Sequence, residues 1–414
     1  MIENYRCGKI AVWVLAILTA ASLAVAEEPD HEQKKGTSRS GQEKVSPYKV
    51  SLATGLGYDS NVYRAPGAPY LDYFPAATPL VVPVIHSGFF APLNLDVSYF
   101  QQLGKSVRFI AALSSDNILY LKSENNNANT YTHKLKAGPE FVLGSRGKKE
   151  NTLQILPFIK NHTETYYDRD TGSDKTTTAT EDIADNYSYG STGIESMLKL
   201  RTLPVKVGIT LDWEQRDYKN TGFVSQYDHT YYLLGGDVEI PIMKRVELDL
   251  QYDYYVRDYD DRHSRDLNGS LFTTAPLLKY VYNQAGASVR VKAAKNLTLY
   301  LDYSRLDRED ANYVGYNNFT EDEFGVKAIL HFDTFKVRAK YAWTDRSYPQ
   351  AFAFDNPAQP RMDYDVKKIL IKAEREVGKH AEVWLEYESR NTDSTDLRYD
   401  YDKYQVMAGV KLMI

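Results

Sequence analysis

The chain has 414 residues, with 34 tyrosines, one cysteine and a formal net charge of −5. A single cysteine excludes a small secreted domain held together by disulfides, and the slightly acidic balance does not favour a nucleic-acid partner. The mean hydropathy of −0.49 resembles that of a water-soluble chain, but a strand of a membrane barrel shows only alternate residues to lipid and can be half polar.

The first 26 residues are predicted to form an export signal peptide. Two basic residues precede an apolar run over 10–26, which ends in the small-x-small cleavage site Ala24-Val25-Ala26. A retained membrane anchor is the alternative, but the run has the minimum length for a spanning helix. The only cysteine, Cys7, lies before the apolar run, which does not fit a lipoprotein signal.

A change of pattern follows the signal peptide. Residues 27–46 are polar, charged and aperiodic, which predicts a flexible periplasmic lead-in. From residue 47 to 414 the hydrophobic pattern has a period of two, as in β-strands with two different faces. The clearest alternating segments are 205–216, 246–257, 335–343 and 381–388. The sequence therefore predicts an all-β domain over 47–414.

The connections between these segments alternate in length. Short turns are predicted near 101–105, 144–149, 202–204, 241–245, 293–296, 333–334 and 378–380. Longer polar connections are predicted near 59–86, 122–130, 167–186, 217–226, 257–278, 307–318, 345–363 and 390–400. Seven short and eight long connections predict a single antiparallel transmembrane β-barrel of about sixteen strands, with fourteen or eighteen left open. Short periplasmic turns and long extracellular loops are typical of such barrels in the bacterial outer membrane.

Aromatic residues favour a membrane barrel over a soluble β-sandwich or solenoid. Many tyrosines and tryptophans occur where strands meet the long connections, which predicts an aromatic girdle at one membrane interface. These residues are Tyr58, Tyr120, Tyr131, Tyr166, Tyr167, Tyr187, Tyr189, Trp213, Tyr218, Tyr227, Tyr254, Tyr280, Tyr303, Tyr341, Trp343, Tyr348 and Tyr401.

The charged faces of the strands are predicted to line an aqueous lumen. A basic side chain turned to lipid near the midplane costs ~2–4 kcal/mol, which no barrel can bear on many strands. The predicted lining residues are Lys206, Asp212, Glu214, Arg216, Glu247, Asp249, Asp253, Lys336, Arg338, Lys340, Lys372, Glu382, Glu386 and Glu388. Their opposed charges predict either a transverse field that selects solutes or salt bridges that stiffen the wall.

The connection 59–86 carries five prolines and apolar patches, so it either folds inward as a constriction or forms an outer flap. Two short patterns carry weak chemical signals. Asp168–Asp174 resembles part of a calcium loop, and Asp258–His263 combines acids with a histidine. Solvated loops explain both better, so no metal, no cofactor and no enzymatic activity are predicted.

The opening segment of the barrel, Gly55-Leu56-Gly57-Tyr58-Asp59-Ser60-Asn61-Val62-Tyr63-Arg64-Ala65-Pro66, carries a family resemblance. It resembles the first strand of poorly characterised proteobacterial outer-membrane β-barrels. These include barrels encoded with exopolysaccharide systems and the barrel part of surface-lipoprotein assembly modifiers. The association with polysaccharide implies an export pore whose lumen charges guide a charged polymer.

The last segment alternates up to the final residue, Ile414. It resembles the C-terminal signal that the bacterial barrel-assembly machinery reads, although that signal usually ends in Phe or Trp.

The sequence as a whole predicts an outer-membrane pore that passes small polar solutes or exports a polysaccharide. The expected partners are outer-membrane lipid and lipopolysaccharide, the barrel-assembly machinery during biogenesis, and the solute itself. The alternative is a surface protein without a transport role. It would act as an adhesin, receptor or assembly factor through its long extracellular loops.

Overall fold

The structure is a computed structural model that describes residues 47–73, 78–147, 149–174, 176–178, 181–182, 187–219, 227–271 and 274–414. The predicted signal peptide and lead-in fall on residues 1–46, outside this part, and stay predictions. None of the helical segments in the described ranges is long and apolar enough to cross a membrane.

Sixteen strands make up the barrel. They are β1 (Tyr48–Asp59), β2 (Gly88–Gln102), β3 (Val107–Tyr120), β4 (Thr130–Arg146), β5 (Lys149–Glu164), β6 (Tyr189–Leu200), β7 (Lys206–Tyr218), β8 (His229–Met243), β9 (Val246–His263), β10 (Leu277–Lys292), β11 (Leu297–Asp310), β12 (Phe319–His331), β13 (Phe335–Phe352), β14 (Arg361–Glu376), β15 (Ala381–Ser394) and β16 (Tyr401–Met413). Each strand pairs antiparallel with its neighbours along the chain, and β1 pairs with β16 to close the ring. The predicted all-β barrel and its sixteen strands are confirmed.

The seam between β1 and β16 is tightly packed. Its register runs from Ser51 opposite Met413 to Asp59 opposite Gln405. A Cβ on Gly57 would collide with the side chains of Phe90 and Met407, so only glycine fits at this point of β1. Closure leaves neither strand with an unpaired edge, which hydrocarbon could not satisfy.

The two ends of the barrel differ as predicted. At one end lie eight long loops: L1 (60–87), L2 (121–129), L3 (165–188), L4 (219–228), L5 (264–276), L6 (311–318), L7 (353–360) and L8 (395–400). At the other end the connections 103–106, 147–148, 201–205, 244–245, 293–296, 332–334 and 377–380 are short. Several strands run further toward the long loops than the sequence predicted: β9 reaches His263, β13 reaches Phe352 and β15 reaches Ser394. In β9 and β13 the pairing resumes after a register shift, at His263 with Leu277 and at Phe352 with Arg361.

The concave face of the sheet is the ionic one. Lys134 and Lys136 on β4 both contact Glu195 on β6 although β5 lies between these strands. Side chains can meet across an intervening strand only on the inside of a curved sheet. The apolar residues of the alternating pattern, such as Leu211 and Leu234, are about half exposed on the outside. Buried apolar clusters lie instead at the long-loop end, within and beneath the loops.

Four aspartates stand side by side on the outer face of β12 to β15. The register places Asp345 between Asp322 and Asp365, and Asp393 beyond Asp365. Lys367 lies 3.2 Å from Asp365 and 3.3 Å from Asp393. Asp345 makes no ion pair with any described residue. Like charges directly opposite each other destabilise a sheet.

We expect Asp345→Asn to stabilise the barrel by roughly 0.5 kcal/mol, because it removes two repulsions and breaks no ion pair. The midpoint of urea unfolding in lipid vesicles measures this. Asp365→Asn is the matched control. It loses the contact with Lys367 and disturbs the hydrogen bond of 2.8 Å from Trp343 Nε1, so it is expected not to stabilise. Equal gains from both variants would contradict the assignment.

Candidate functional site

The interior wall of β13 and β14 is a network of ion pairs. Lys336 and Arg338 lie 2.6 and 2.7 Å from the carboxylate of Glu374, which is buried. Lys372 lies 3.6 Å from Glu374 and 3.3 Å from Glu386 on β15. The salt bridges that the sequence left as one alternative are therefore present on this wall. Glu374, which joins three cations, was not predicted.

The acidic wall of β8 and β9 is partly neutralised. Lys206 pairs with Glu239, and Arg290 lies 3.0 Å from Glu247. Carboxylate oxygens of Glu239, Glu247 and Asp249 lie within 4.8 Å of one another, a spacing that could hold a metal ion. Because two of the three carboxylates already have a cation partner, this group is better explained as part of the wall.

The other predicted lining residues lie on the same interior face. Glu214 is buried and lies 2.8 Å from Arg216. The remaining five follow the alternation of their strands: Asp212, Asp253, Lys340, Glu382 and Glu388.

The first half of L1, which we call its inner half, folds into the barrel, and the second half carries exposed apolar residues. Val62, Tyr63 and Ala65 are almost fully buried, whereas Leu80 and Val82 are more than 60% exposed. The first half therefore agrees with the predicted inward constriction, and the outer flap stays a prediction for the second half.

Tyr63 joins L1 to two other loops. Its hydroxyl donates a hydrogen bond of 2.7 Å to the carbonyl of Glu124 in L2. Its ring lies 4.8 Å from that of Tyr167 in L3, centroid to centroid. The inner half of L1 is thus held between L2 and L3.

The Asp59 carboxylate holds the point where L1 leaves β1. Asp59 is fully buried. It accepts hydrogen bonds of 2.7 Å from the Tyr120 hydroxyl and 2.8 Å from Gln405, and it lies 2.6 Å from Lys403 Nζ. It also accepts a bond of 3.0 Å from the backbone N–H of Asn61. The carboxylate therefore connects the start of L1 to β3 and β16.

Asn61 then turns the chain inward. Its side chain exchanges two hydrogen bonds of 2.8 Å with the backbone of Ala65. Between them Arg64 adopts a positive φ of 58°, a left-handed conformation that is uncommon outside glycine. The turn presents the Arg64 side chain to the interior.

L3 crosses the barrel. The Arg169 guanidinium lies 4.8 Å from the ring centroid of Tyr399 in L8, far around the ring from β5 and β6, which L3 connects. The Asp170 carbonyl accepts a bond of 2.7 Å from the N–H of Val84, and its carboxylate accepts one of 2.9 Å from the Tyr70 hydroxyl. L1 and L3 are thus bonded to each other across the long-loop end.

The loop tyrosines act as neutral phenols. Burial raises the pKa of Tyr63. Burial, together with the hydrogen bond to Asp170, also raises the pKa of Tyr70. Both hydroxyls therefore keep their protons at neutral pH and remain donors in the contacts that hold L1.

A cavity of about 310 Å³ lies where L1 and L3 meet the wall of β12 to β16. We call it the basic cavity. Five cations and two acids line it: Arg64, Arg169, Arg346, Lys368, Arg390, Glu321 and Glu323. Arg346 Nε lies 2.6 Å from Glu321. The other four cations have no described carboxylate within salt-bridge distance, so the basic cavity carries an excess of positive charge.

Two further cavities, of about 230 and 280 Å³, adjoin L1 and L3. Arg64 lines both of them as well as the basic cavity. The inner half of L1 thus separates these cavities from one another. Arg64 lies where the three cavities meet.

The outer surface of the barrel shows that the protein lies in a membrane. Apolar side chains that are 36–58% exposed form a band around the ring, and they include Leu56, Leu135, Ile159, Ile194, Leu211, Leu234, Leu250, Leu301, Val326, Ile371, Leu385 and Val406. Soluble proteins rarely expose an apolar surface of this extent to water. A closed ring of strands is one of the two structures that can span a bilayer. The chain is an outer-membrane β-barrel. The long loops are extracellular and the short turns periplasmic.

Comparison with known proteins gives distant structural matches. A bacterial polysaccharide outer membrane secretin has 8% sequence identity and a TM-score of 0.46, with 89% of this chain and 97% of that chain covered. OccK2 (OpdF) of Pseudomonas aeruginosa has 11% identity and a TM-score of 0.43, with 89% and 98% covered. An anion-selective porin from Comamonas acidovorans has 11% identity and a TM-score of 0.44, with 89% and 98% covered. No protein-family model and no curated protein sequence matches the chain.

The predicted aromatic girdle of this outer-membrane barrel needs correction. Trp213 and Tyr303 are about 40% exposed on the outer face, as expected. Many of the others face the interior, where Tyr280, for example, is buried beneath the guanidinium of Arg308 at 4.4 Å. Packing against interior arginines explains these tyrosines better than an affinity for the membrane interface.

Most of the residues that line the basic cavity are not predicted by the sequence pattern. Arg390 was assigned to a loop over 390–400, but β15 continues to Ser394 and carries it on the face of Glu386 and Glu388. Period-two alternation could have found it. No local pattern could have found Arg64 or Arg169, because their position depends on how L1 and L3 fold.

Proposed function

We propose that this outer-membrane pore passes anionic solutes through a constriction formed by L1 and L3. The observation that carries the proposal is the basic cavity, where Arg64, Arg169, Lys368 and Arg390 have no carboxylate partner among the described residues. The distant structural matches carry no part of it.

Unpaired cations at a narrow point favour anions. The Coulomb energy between two unit charges 4 Å apart is about 1 kcal/mol in bulk water, and it is larger where loops exclude water. Some acids elsewhere on the lumen wall, among them Glu239, Glu247 and Glu374, have cation partners. Because L1 and L3 narrow the path at the basic cavity, its excess positive charge is expected to set the ion preference.

L1 and L3 narrow the extracellular end of the pore. They contact L2 and L8, and the three cavities described above lie beside them. Hydrogen bonds from Val84 and Tyr70 to Asp170 and from His86 to the Thr171 carbonyl join L1 to L3. Displacement of the inner half of L1 would merge these cavities and widen the path.

Planar-bilayer recording of the purified full chain tests the proposal. Under a KCl gradient, the reversal potential is expected to show a preference for chloride. A variant in which Gly-Ser replaces Val62–Pro66 is expected to conduct several times more current, because it lacks the inner half of L1. A preference for potassium, or a tight non-conducting barrel in both proteins, would contradict the proposal.

The exposed half of L1 favours a second candidate, a surface receptor or adhesin. Leu80, Val82, Val84 and Ile85 are at least 50% exposed at the extracellular end, and exposed apolar patches often mark interaction sites. If this role is correct, replacing these four residues with serine abolishes binding to a cell surface and leaves conductance unchanged.

A further inference from the structure

We propose that the basic cavity is a binding site for one residue of a carboxylated sugar. This inference deepens the proposed function and rests on it, because the same cavity forms the constriction. It adds a chemical class of ligand to what is otherwise only a preference for negative charge.

Four cations of the basic cavity lack a carboxylate partner among the described residues. Arg64 comes from L1, Arg169 from L3, Lys368 from β14 and Arg390 from β15, yet all four line one cavity. Partly buried charges are costly to leave uncompensated. Carboxylates are good partners for guanidinium groups, since both can form paired hydrogen bonds. A carboxylated ligand would satisfy cations that the described residues leave without a carboxylate.

Aromatic side chains form part of the cavity wall beside the cations. Tyr364, Tyr399 and Tyr401 line the same cavity. The rings of Tyr364 and Tyr399 lie 5.7 Å apart at 68°, and the Arg390 guanidinium lies 5.7 Å from the Tyr401 ring. Tyrosine combines an apolar face with a polar hydroxyl. Such a wall suits the C–H face of a sugar ring and contributes little to a bare inorganic anion.

Side chains that can hydrogen-bond to the hydroxyls of a sugar also line the basic cavity. Thr344 and Thr392 line the cavity, and so does Glu323, whose nearest cation, Lys340, is 3.7 Å away. A carboxylate in a site for simple anions would oppose binding, but it can accept hydrogen bonds from sugar hydroxyls. Acceptors and cations in one cavity fit a ligand that is both hydroxylated and acidic.

The size of the cavity limits the ligand. Pockets for small molecules span roughly 300–1,000 Å³, so about 310 Å³ lies at the lower end. One sugar ring fits this scale and a folded oligosaccharide does not. The adjoining cavities share Arg64, so the neighbouring residues of a longer chain would extend into them.

Isothermal titration calorimetry of the full chain in detergent tests this inference. The probes are D-glucuronate, D-glucose, acetate and inorganic phosphate. We expect saturable binding of glucuronate at least tenfold tighter than that of acetate or phosphate, and no binding of glucose. Equal affinity for glucuronate and acetate, tightest binding of phosphate, or no saturable binding of glucuronate would overturn the inference.

Variants separate the two parts of the ligand. Arg390→Gln is expected to weaken glucuronate binding at least tenfold, and Tyr399→Leu to weaken glucuronate but not acetate. Tyr399→Phe keeps the ring and is expected to retain most of the affinity. The matched control is Lys136→Gln, which removes an interior cation outside the basic cavity. An equal loss in Lys136→Gln and Arg390→Gln would overturn the inference. Each variant is first checked for a folded barrel by its heat-modifiable migration in gel electrophoresis.

Bilayer recordings on the same preparations distinguish the two proposals. An anion-selective pore that does not bind glucuronate overturns the sugar site and leaves the proposed function intact. A barrel that binds glucuronate without conducting overturns the pore and leaves the site intact.

Discussion

Arg64→Glu is expected to reverse the ion preference of the pore. Arg64 lines each of the three cavities described around the inner half of L1, so an ion that takes any of these paths passes near it. The substitution changes the local charge by two units. At about 1 kcal/mol per unit at 4 Å, the permeability to chloride should fall roughly thirtyfold and the permeability to potassium should rise roughly thirtyfold. The reversal potential in a KCl gradient measures this, at low salt because screening weakens the effect.

Two further variants separate charge from backbone at this position. Arg64→Gly removes the charge, and glycine tolerates the φ of 58° better than any other residue. This variant should therefore lower the preference for chloride over potassium without reversing it. Lys136→Glu makes the same change of charge on the wall of β4, away from L1. If Lys136→Glu shifts the reversal potential as much as Arg64→Glu, the constriction is not where ions are selected.

Asp59→Ala is expected both to destabilise the barrel and to release the inner half of L1. The substitution leaves Lys403 buried without its partner, which typically costs about 3–5 kcal/mol. It also removes the acceptor for Tyr120, Gln405 and the N–H of Asn61. Urea unfolding in vesicles should show the loss of stability, and bilayer recordings should show larger and noisier currents.

A double variant identifies the cause. Asp59→Asn combined with Lys403→Met removes both charges together, and replacement of a buried ion pair in this way is often nearly neutral. Stability is expected to recover in the double variant by at least half. A double variant as unstable as Asp59→Ala would show that the ion pair is not what holds this junction.

The barrel itself was predictable because its determinants are local. Alternation in segments such as 205–216 assigns each residue to a face, and the short turns repeat often enough to count the strands. The orientation of individual aromatics also follows from alternation. Tyr280 and Tyr282 share a face with Arg290, and therefore lie inside.

The fold of L1 and L3 at the extracellular end was not predictable, because the residues that determine it are distant in sequence. Asp59 and Gln405 are 346 residues apart. In the sequence, the twelve residues from Gly55 to Pro66 show only a resemblance to the first strand of other outer-membrane barrels. The structure gives them physical roles: glycine for the seam, Asp59 for the anchor and Asn61 for the inward turn.

The contacts of Asp59 link the inward turn of L1 to the closure of the barrel. Two of its partners, Lys403 and Gln405, belong to β16, which closes the ring against β1. Before β1 and β16 have joined, the carboxylate lacks its cationic neighbour Lys403, and only the Tyr120 hydroxyl on β3 ties it to the wall. The junction at which L1 turns inward is therefore complete only once the ring has closed.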